Sequence, residues 1–329
     1  MKVLVTGAGS MLLSGVARAL VERGDEVVCL QRRAVELPGA QVVQGDVRDA
    51  AAVLAAAQGC DAVVHGAARV GVVGDWGEFR SVNITGTEHV VLAAVECGVS
   101  RLVYVSTPSV AHAGHSIVGE GAAPAVTGRQ GAFYAESKAV AESLALAATG
   151  PALAVVAVRP HLVWGPGDTQ LVGRIIERAR AGRLAVVGSG SALIDSTYVD
   201  NAVSAHVAAL DAVELGAPCA GRAYVVANGE PRTVAELLEG ICSAAGVAYA
   251  PRHVPLAVAL RVGSVVERVW PRLRDDEPPI TRFLAEQLGT AHWFDPRPAR
   301  DDLGWSPTVS LDEGFERLHA WFVEHPHVA

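Results

Sequence analysis

The sequence predicts a doubly wound parallel α/β sheet followed by a smaller, mostly helical C-terminal lobe. Three observations carry this. Short apolar runs alternate with longer stretches of helical period through the first half, the pattern of a parallel sheet covered on both faces. Half of the 329 residues are apolar and only 19% are charged, enough for a sizeable core built mostly of Ala, Val and Leu. The first apolar run leads straight into Gly7-Ala8-Gly9, glycines set where a strand hands over to a helix.

Residues 2–6 read as a buried strand, and 11–23 as an amphipathic helix stopped by Gly24. Strands follow at 27–30 and 41–44, the second ending in Gly45-Asp46. A helix at 50–58, a strand at 62–65 and one helix over 79–97 come next, the last stopped by Gly98. The fifth strand is 102–106, the next helix 134–148, and the sixth strand 154–159. After Pro160 the rhythm loosens into the turn-rich run Trp164-Gly165-Pro166-Gly167-Asp168. A helix over 171–181 follows, then a strand at 196–198 feeding a helix over 200–210, and a strand at 223–227. Both strands are expected to return to the main sheet. Helices over 234–244 and 256–269 then alternate with proline-rich turns.

The formal charge is 27 − 35 = −8, and no basic run interleaves with aromatics, so nucleic acid is not an expected partner. Cysteines 29, 60, 97, 219 and 242 are scattered without CxxC spacing and read as thiols in a reducing compartment. The start of the chain does not have the pattern of a signal peptide, and no run of about 18 apolar residues suggests a spanning helix. A cytoplasmic protein is expected. The histidines show no metal-type spacing and there is no Gly-x-Ser-x-Gly elbow, so neither a metal site nor a hydrolase triad is predicted.

The chemistry points elsewhere. Lys2 and Lys138 are the chain's lysines, every other basic side chain being arginine. Lys138 follows Tyr134 by four residues, so on a helix the ammonium and the phenol share one face. A phenol of ordinary pKa about 10 gives up a proton near neutrality only beside such a cation. The fifth strand ends in the hydroxyls Ser106-Thr107 and Ser109, close to where Tyr134 is expected. In a parallel sheet these strand ends lie along one edge, where ligands bind. The loop from Gly7 and Gly9 through Ser10, Met11 and Leu12 is the candidate pyrophosphate cradle, although Ser10 and Leu13 stand where further glycines are usual. The second strand ends in Gln31-Arg32-Arg33, and arginines there favour the 2′-phosphate of NADP over NAD. Asp46 and Val47 are candidates to border the adenine. His112, His115 and His161 lie near the candidate site.

These pieces together resemble the extended short-chain dehydrogenase/reductases, in the branch typified by 3β-hydroxysteroid dehydrogenase. They occur in order along the chain: Val5-Thr6-Gly7, Gly45-Asp46-Val47, His65-Gly66-Ala67-Ala68, Asn83 with Gly86-Thr87, Ser106-Thr107, Tyr134 to Lys138, Arg159-Pro160 and Tyr198-Val199-Asp200-Asn201. Residues 106–112, 159–168, 281–288 and 290–295 are most similar to the bacterial 2-alkyl-3-oxoalkanoate reductases of olefin and β-lactone pathways. The resemblance implies a Rossmann-type domain. It implies Tyr134 as acid/base, Lys138 as its cationic partner and ribose ligand, and Thr107 as carbonyl-binding hydroxyl with Ser106 as alternate. It places Ala67, Ala68, Pro160 and His161 along the cofactor. The reaction implied is NADPH-dependent reduction of a long-chain 2-alkyl-3-oxo acid to the 3-hydroxy acid. A 3β-hydroxysteroid-type dehydrogenase, a sugar-nucleotide epimerase or dehydratase, and a non-catalytic dinucleotide-binding regulator are the alternatives. The glycine departures predict that the first helix stands slightly off the sheet, weakening cofactor affinity.

The expected division is 1–165 for the dinucleotide domain with 194–227 returning to it, and 166–193 with 228–329 for the substrate lobe. The apolar stretch 254–269 suits an acyl chain or sterol. A homodimer and association with pathway enzymes are expected partners beside the hydrophobic substrate.

Overall fold

A computed structural model describes residues 1–71, 74–111, 114–128, 132–273 and 280–325. Seven strands form the main sheet: β1 (Lys2–Thr6), β2 (Glu26–Gln31), β3 (Gln41–Gln44), β4 (Ala62–His65), β5 (Arg101–Val105), β6 (Ala154–Pro160) and β7 (Ala223–Val226). Their order is β7-β6-β5-β4-β1-β2-β3 and every pairing is parallel. The central strands read as continuous apolar runs because both of their faces are covered. Helices α1 (Met11–Glu22), α2 (Ala50–Ala57), α3 (Gly86–Glu96), α4 (Phe133–Ala147) and α5 (Val199–Ala212) provide the cover. Leu13, Val16 and Leu20 of α1 and Ala205, Ala209 and Leu210 of α5 pack on one face. Val53 of α2, Val90 and Ala94 of α3, and Ala141 and Ala145 of α4 pack on the other.

The register brings Thr6 beside both Leu30 and His65, and His65 beside Tyr104, so the C-terminal ends of β1, β2, β4 and β5 align along one edge. All the loops that carry candidate chemistry leave from that edge.

A second core unites Trp164, Ile175, Ile176, Leu237, Leu238, Ile241, Leu318 and Phe322 in the C-terminal lobe. Beside it runs a four-stranded sheet of residues 232–233, 193–194, 292–294 and 117–120, in that order. Among the described residues, no helix is long and apolar enough to cross a membrane.

The observed elements depart from the expected ones in three places. The single helix expected over 79–97 is interrupted: Trp76–Phe79 is one helical turn, Arg80–Thr85 a π-helical turn, and only then does α3 begin. The widened turn aims Asn83 inward, where it binds the backbone of Arg69. The strand expected at 196–198 does not join the main sheet. Thr197–Tyr198 pairs with Val163–Trp164 instead, because Leu193–Ile194 just before it is already held in the lobe sheet. The boundary at 165 is crossed in both directions. Residues 117–120 pair with 292–294 in the lobe, while Ala299, Leu303 and Trp305 belong to the core under the main sheet. The helix expected over 256–269 is present as Leu256–Leu273; it buries Ala259 and Gly263 and leaves Val258, Val262, Val265 and Val269 exposed.

Candidate active site

The site begins where β1 turns into α1. Gly7 has φ +82°, and a Cβ there would stand 2.8 Å from the backbone of Ala67, so only glycine fits. At Gly9 the missing Cβ leaves room for the Gln31 amide, which would lie 2.4 Å from it. Ser10 caps α1, its Oγ accepting from Leu13 N at 3.2 Å. The result is a bare backbone cradle at a helix N-terminus, the chemistry a pyrophosphate needs, so the loop fits a dinucleotide.

Leu13 does not push α1 off the sheet. It is 3% exposed and lies over Gly66, where a Cβ would be 2.7 Å from Leu13 Cδ2. The side chain absent at position 66 makes the room that position 13 takes up, which corrects the expected displacement. Farther along the helix, Gly15 meets Val203 of α5, 2.6 Å from where its Cβ would stand. Met11 and Leu12 are half-buried and packed against the lobe core and the main-sheet core respectively, so their side chains serve the helix rather than the loop.

A hydrogen-bonded chain fixes the next strand ends. Thr87 Oγ1 donates to Asn83 O at 2.6 Å, so it accepts from His65 Nε2 at 3.0 Å. His65 Nδ1 then accepts from Thr6 Oγ1 at 2.7 Å. Thr6 Oγ1 in turn accepts from the backbone of Gly66 and Ala67, both at 3.2 Å, which orients the Ala67-Ala68 segment. Burial, with Lys138 nearby, pulls the His65 imidazole down to about 3, so the ring is neutral.

Arg32 and Arg33 are both exposed at the end of β2. Asp46 is held by Arg48, with Nη2 to Oδ2 at 2.7 Å, and that bond keeps its carboxyl below the usual range. The Val47 side chain is buried against Gly86, and its carbonyl accepts from His89 at 2.9 Å.

Tyr134 stands in the first turn of α4, with Lys138 one turn on. Thr107 lowers the pKa of the Tyr134 phenol, yet burial outweighs that effect and pushes the phenol up to about 12. Lys138 is 3% exposed and donates to Val105 O at 2.6 Å. It lies 4.2 Å from the centre of the Tyr104 ring, and burial pulls its ammonium down to about 7. Ser106 and Thr107 are adjacent but differ in what they meet. Thr107 reaches Tyr134, whereas Ser106 Oγ donates to Glu142 at 2.6 Å. Pro160 ends β6 and His161 follows it, its Nδ1 2.7 Å from Asp195 O and its ring edge-on to Phe294. Leu162 next to it has φ +46°, alone in this among the described non-glycine residues.

The structure thus brings Tyr134, Lys138, Thr107 and the Gly7–Ser10 cradle to one edge of the sheet. His115 is exposed, and His112 lies outside the described residues. Clefts of about 510 and 290 Å³ are lined by 120–123 with Arg222 and Pro298, and by 167–177 with Trp321 and Phe322. No candidate site residue lines either one. Among the described residues, no group of His, Cys, Asp or Glu is placed to hold a metal ion. Side chains to which the sequence reading assigned no role hold the strand ends in place, among them Thr6, His65, Asn83, Thr87 and Glu142. Glu142 was open to detection, since it continues the Tyr134 and Lys138 face by one more turn.

The sequence profile of the 3-beta hydroxysteroid dehydrogenase/isomerase family matches residues 5–257. A 2-alkyl-3-oxoalkanoate reductase of Stenotrophomonas maltophilia is 47% identical over 326 residues, covering 97% of this chain and 99% of the relative. A protein of the same name from Shewanella oneidensis is 40% identical over 328 residues, covering 96% and 85%. Among solved structures, a UDP-glucuronic acid 4-epimerase from Bacillus cereus in complex with NAD superposes with a TM-score of 0.75 at 20% identity, covering 99% of each chain.

Proposed function

The chain belongs to the 3-beta hydroxysteroid dehydrogenase/isomerase family, and we propose that it reduces the ketone of a long-chain 2-alkyl-3-oxo acid to the 3-hydroxy acid. The observation that carries this is the placement of Tyr134 and Lys138 one turn apart on α4, beside Thr107, at the sheet edge that also holds the glycine cradle. Two relatives that span nearly the whole chain, both named for this activity, support the substrate class.

A bound NADPH supplies the hydride. Gly7, Gly9 and Ser10 would hold its pyrophosphate, Arg32 and Arg33 its 2′-phosphate, and Ala67, Ala68, Pro160 and His161 would border it. Within the protein, Thr107 and Tyr134 grip the ketone oxygen. With its pKa at about 12 the phenol is fully protonated at neutral pH, the form that reduction requires. As the phenol gives up its proton, the charge on Lys138 one turn away compensates the phenolate. Lys138 would also bind the nicotinamide ribose. The preference for NADPH rests on the two exposed arginines. The reading includes a homodimer, checked by sedimentation, and a reducing cytoplasmic setting, supported by five free cysteines.

Fluorescence titration with NADPH and NADH, followed by assays with 2-alkyl-3-oxo acids, tests the proposal. Micromolar affinity with NADPH preferred, and turnover of the oxo acid, is the expected result. Failure to bind either nucleotide overturns it.

A further inference from the structure

The α4 helix carries a third charged side chain on the face of Tyr134 and Lys138. Glu142 and its partner Arg159 from β6 are each 1% exposed. Arg159 grips the carboxylate as a fork, Nε to Oε2 at 2.8 Å and Nη2 to Oε1, while its Nη1 donates to Ala123 O at 2.7 Å. Ser106 Oγ adds a bond to Oε2 at 2.6 Å. Two buried charges are a weak source of stability, because desolvation offsets most of their attraction. An apolar pair of equal volume would fill the space as well, but it would not hold Ser106.

The hold on Ser106 matters because of its neighbours. Lys138 grips Val105 O at 2.6 Å, Glu142 grips Ser106 Oγ, and the next residue is Thr107, which meets Tyr134. The strand end is therefore clamped by two successive turns of the helix that carries the proton donor. The fork of Arg159 also engages both carboxylate oxygens, which keeps Glu142 from closing onto the ammonium.

We propose that Glu142, paired to Arg159, is a positioning residue: through Ser106 it sets Thr107 against Tyr134, and it maintains an anion beside Lys138 without capturing it. The groups facing Lys138 are Tyr134 and Glu142 from its own helix, His65 from β4 and the Tyr104 ring from β5, with Arg159 of β6 behind Glu142. His65 is neutral, so Glu142 is the anion that supports the lysine charge against burial. On this assignment Ser106 is an anchor rather than a ligand of the substrate.

The inference rests on the reductase reading only where rates are concerned. Its electrostatic half is tested in the protein without nucleotide or substrate. With two lysines in the chain, lysine-selective ¹⁵N labelling gives two side-chain signals, which Lys2→Arg assigns. Lys138 is expected to titrate near pH 7, and in Glu142→Gln about one pH unit lower. Arg159→Lys, which loosens the fork and frees the carboxylate toward Lys138, is expected to raise the midpoint, and it decides the point if Glu142→Gln does not fold. A midpoint unmoved in whichever of these variants folds overturns the electrostatic half.

Ser106→Ala leaves the ion pair intact. It is expected to lower kcat about tenfold with KM for the nucleotide and the Lys138 midpoint unchanged. A kcat within about twofold of wild type overturns the positioning half. If wild-type protein turns over no 3-oxo acid, the reductase reading fails, and the lysine titration still decides the electrostatic half.

Discussion

Leu13 of α1 and Gly66 after β4 occupy a single shared volume, the leucine Cδ2 standing 2.7 Å from where a Cβ on residue 66 would be. Gly66→Ala is therefore expected to destabilise the protein by about 1–3 kcal/mol through overpacking. Leu13→Ala is expected to cost about 2–5 kcal/mol by opening a cavity. Combined, they should cost clearly less than the sum, because each relieves the other. Urea unfolding of the three variants measures this, and strict additivity would show that the two positions do not compete.

Tyr134→Phe removes the proposed proton donor and leaves the Gly7–Ser10 loop untouched. Turnover should fall about 10²- to 10⁴-fold while nucleotide affinity stays within a few-fold. Equal loss of binding and turnover in a titration paired with steady-state rates would refute the assignment of Tyr134 as a proton donor.

The neutral His65 makes the fold acid-sensitive. Its folded pKa, about 3, lies below the unfolded value of 6.5, so more protons bind to the unfolded chain between these limits. The stability His65 contributes is complete above pH 6.5 and is lost as the pH falls toward 3. Protonation would also end the acceptance of the Thr6 hydroxyl by Nδ1. The drop in Tm between pH 7 and pH 4 should be smaller in His65→Asn than in wild type. Parallel Tm curves for the two proteins would exclude His65 as the source.

Arg32 and Arg33 are expected to set the nucleotide preference. The double variant Arg32→Ala/Arg33→Ala should weaken NADPH binding about 10- to 100-fold and leave NADH nearly unchanged. Equal weakening of both nucleotides in the fluorescence titration would mean the arginines do not read the 2′-phosphate.

The central strands of the main sheet were legible because burial on both faces leaves an apolar run, as at 62–64 in β4 and 154–158 in β6. The Tyr134 and Lys138 face was legible because helix geometry alone sets it. What escaped depends on distant partners. Leu13 looks like damage to a glycine loop until Gly66, far along the chain, is seen beneath it. Ser106 and Thr107 were interchangeable on paper, since the fold alone decides which hydroxyl meets Tyr134 and which meets Glu142. The interruption before α3 arises from Asn83 binding Arg69, a contact that no local helical period records. The lobe sheet is assembled from two- to four-residue segments, too short to show any alternation.

The path of the chain between its layers has a mechanical consequence. It enters the lobe at 117–120, returns to the sheet at 154–160, goes back at 193–194, completes the sheet edge at 223–226, and re-enters both layers after 292. No single cut separates one layer from the other, so neither half can be excised or exchanged as a module. The two layers are therefore expected to melt together, as a single calorimetric peak, and two separated peaks would refute this. If the lobe holds the substrate as proposed, retuning it must then come through individual side chains, on a scaffold whose unfolding also dismantles the Gly7–Ser10 loop.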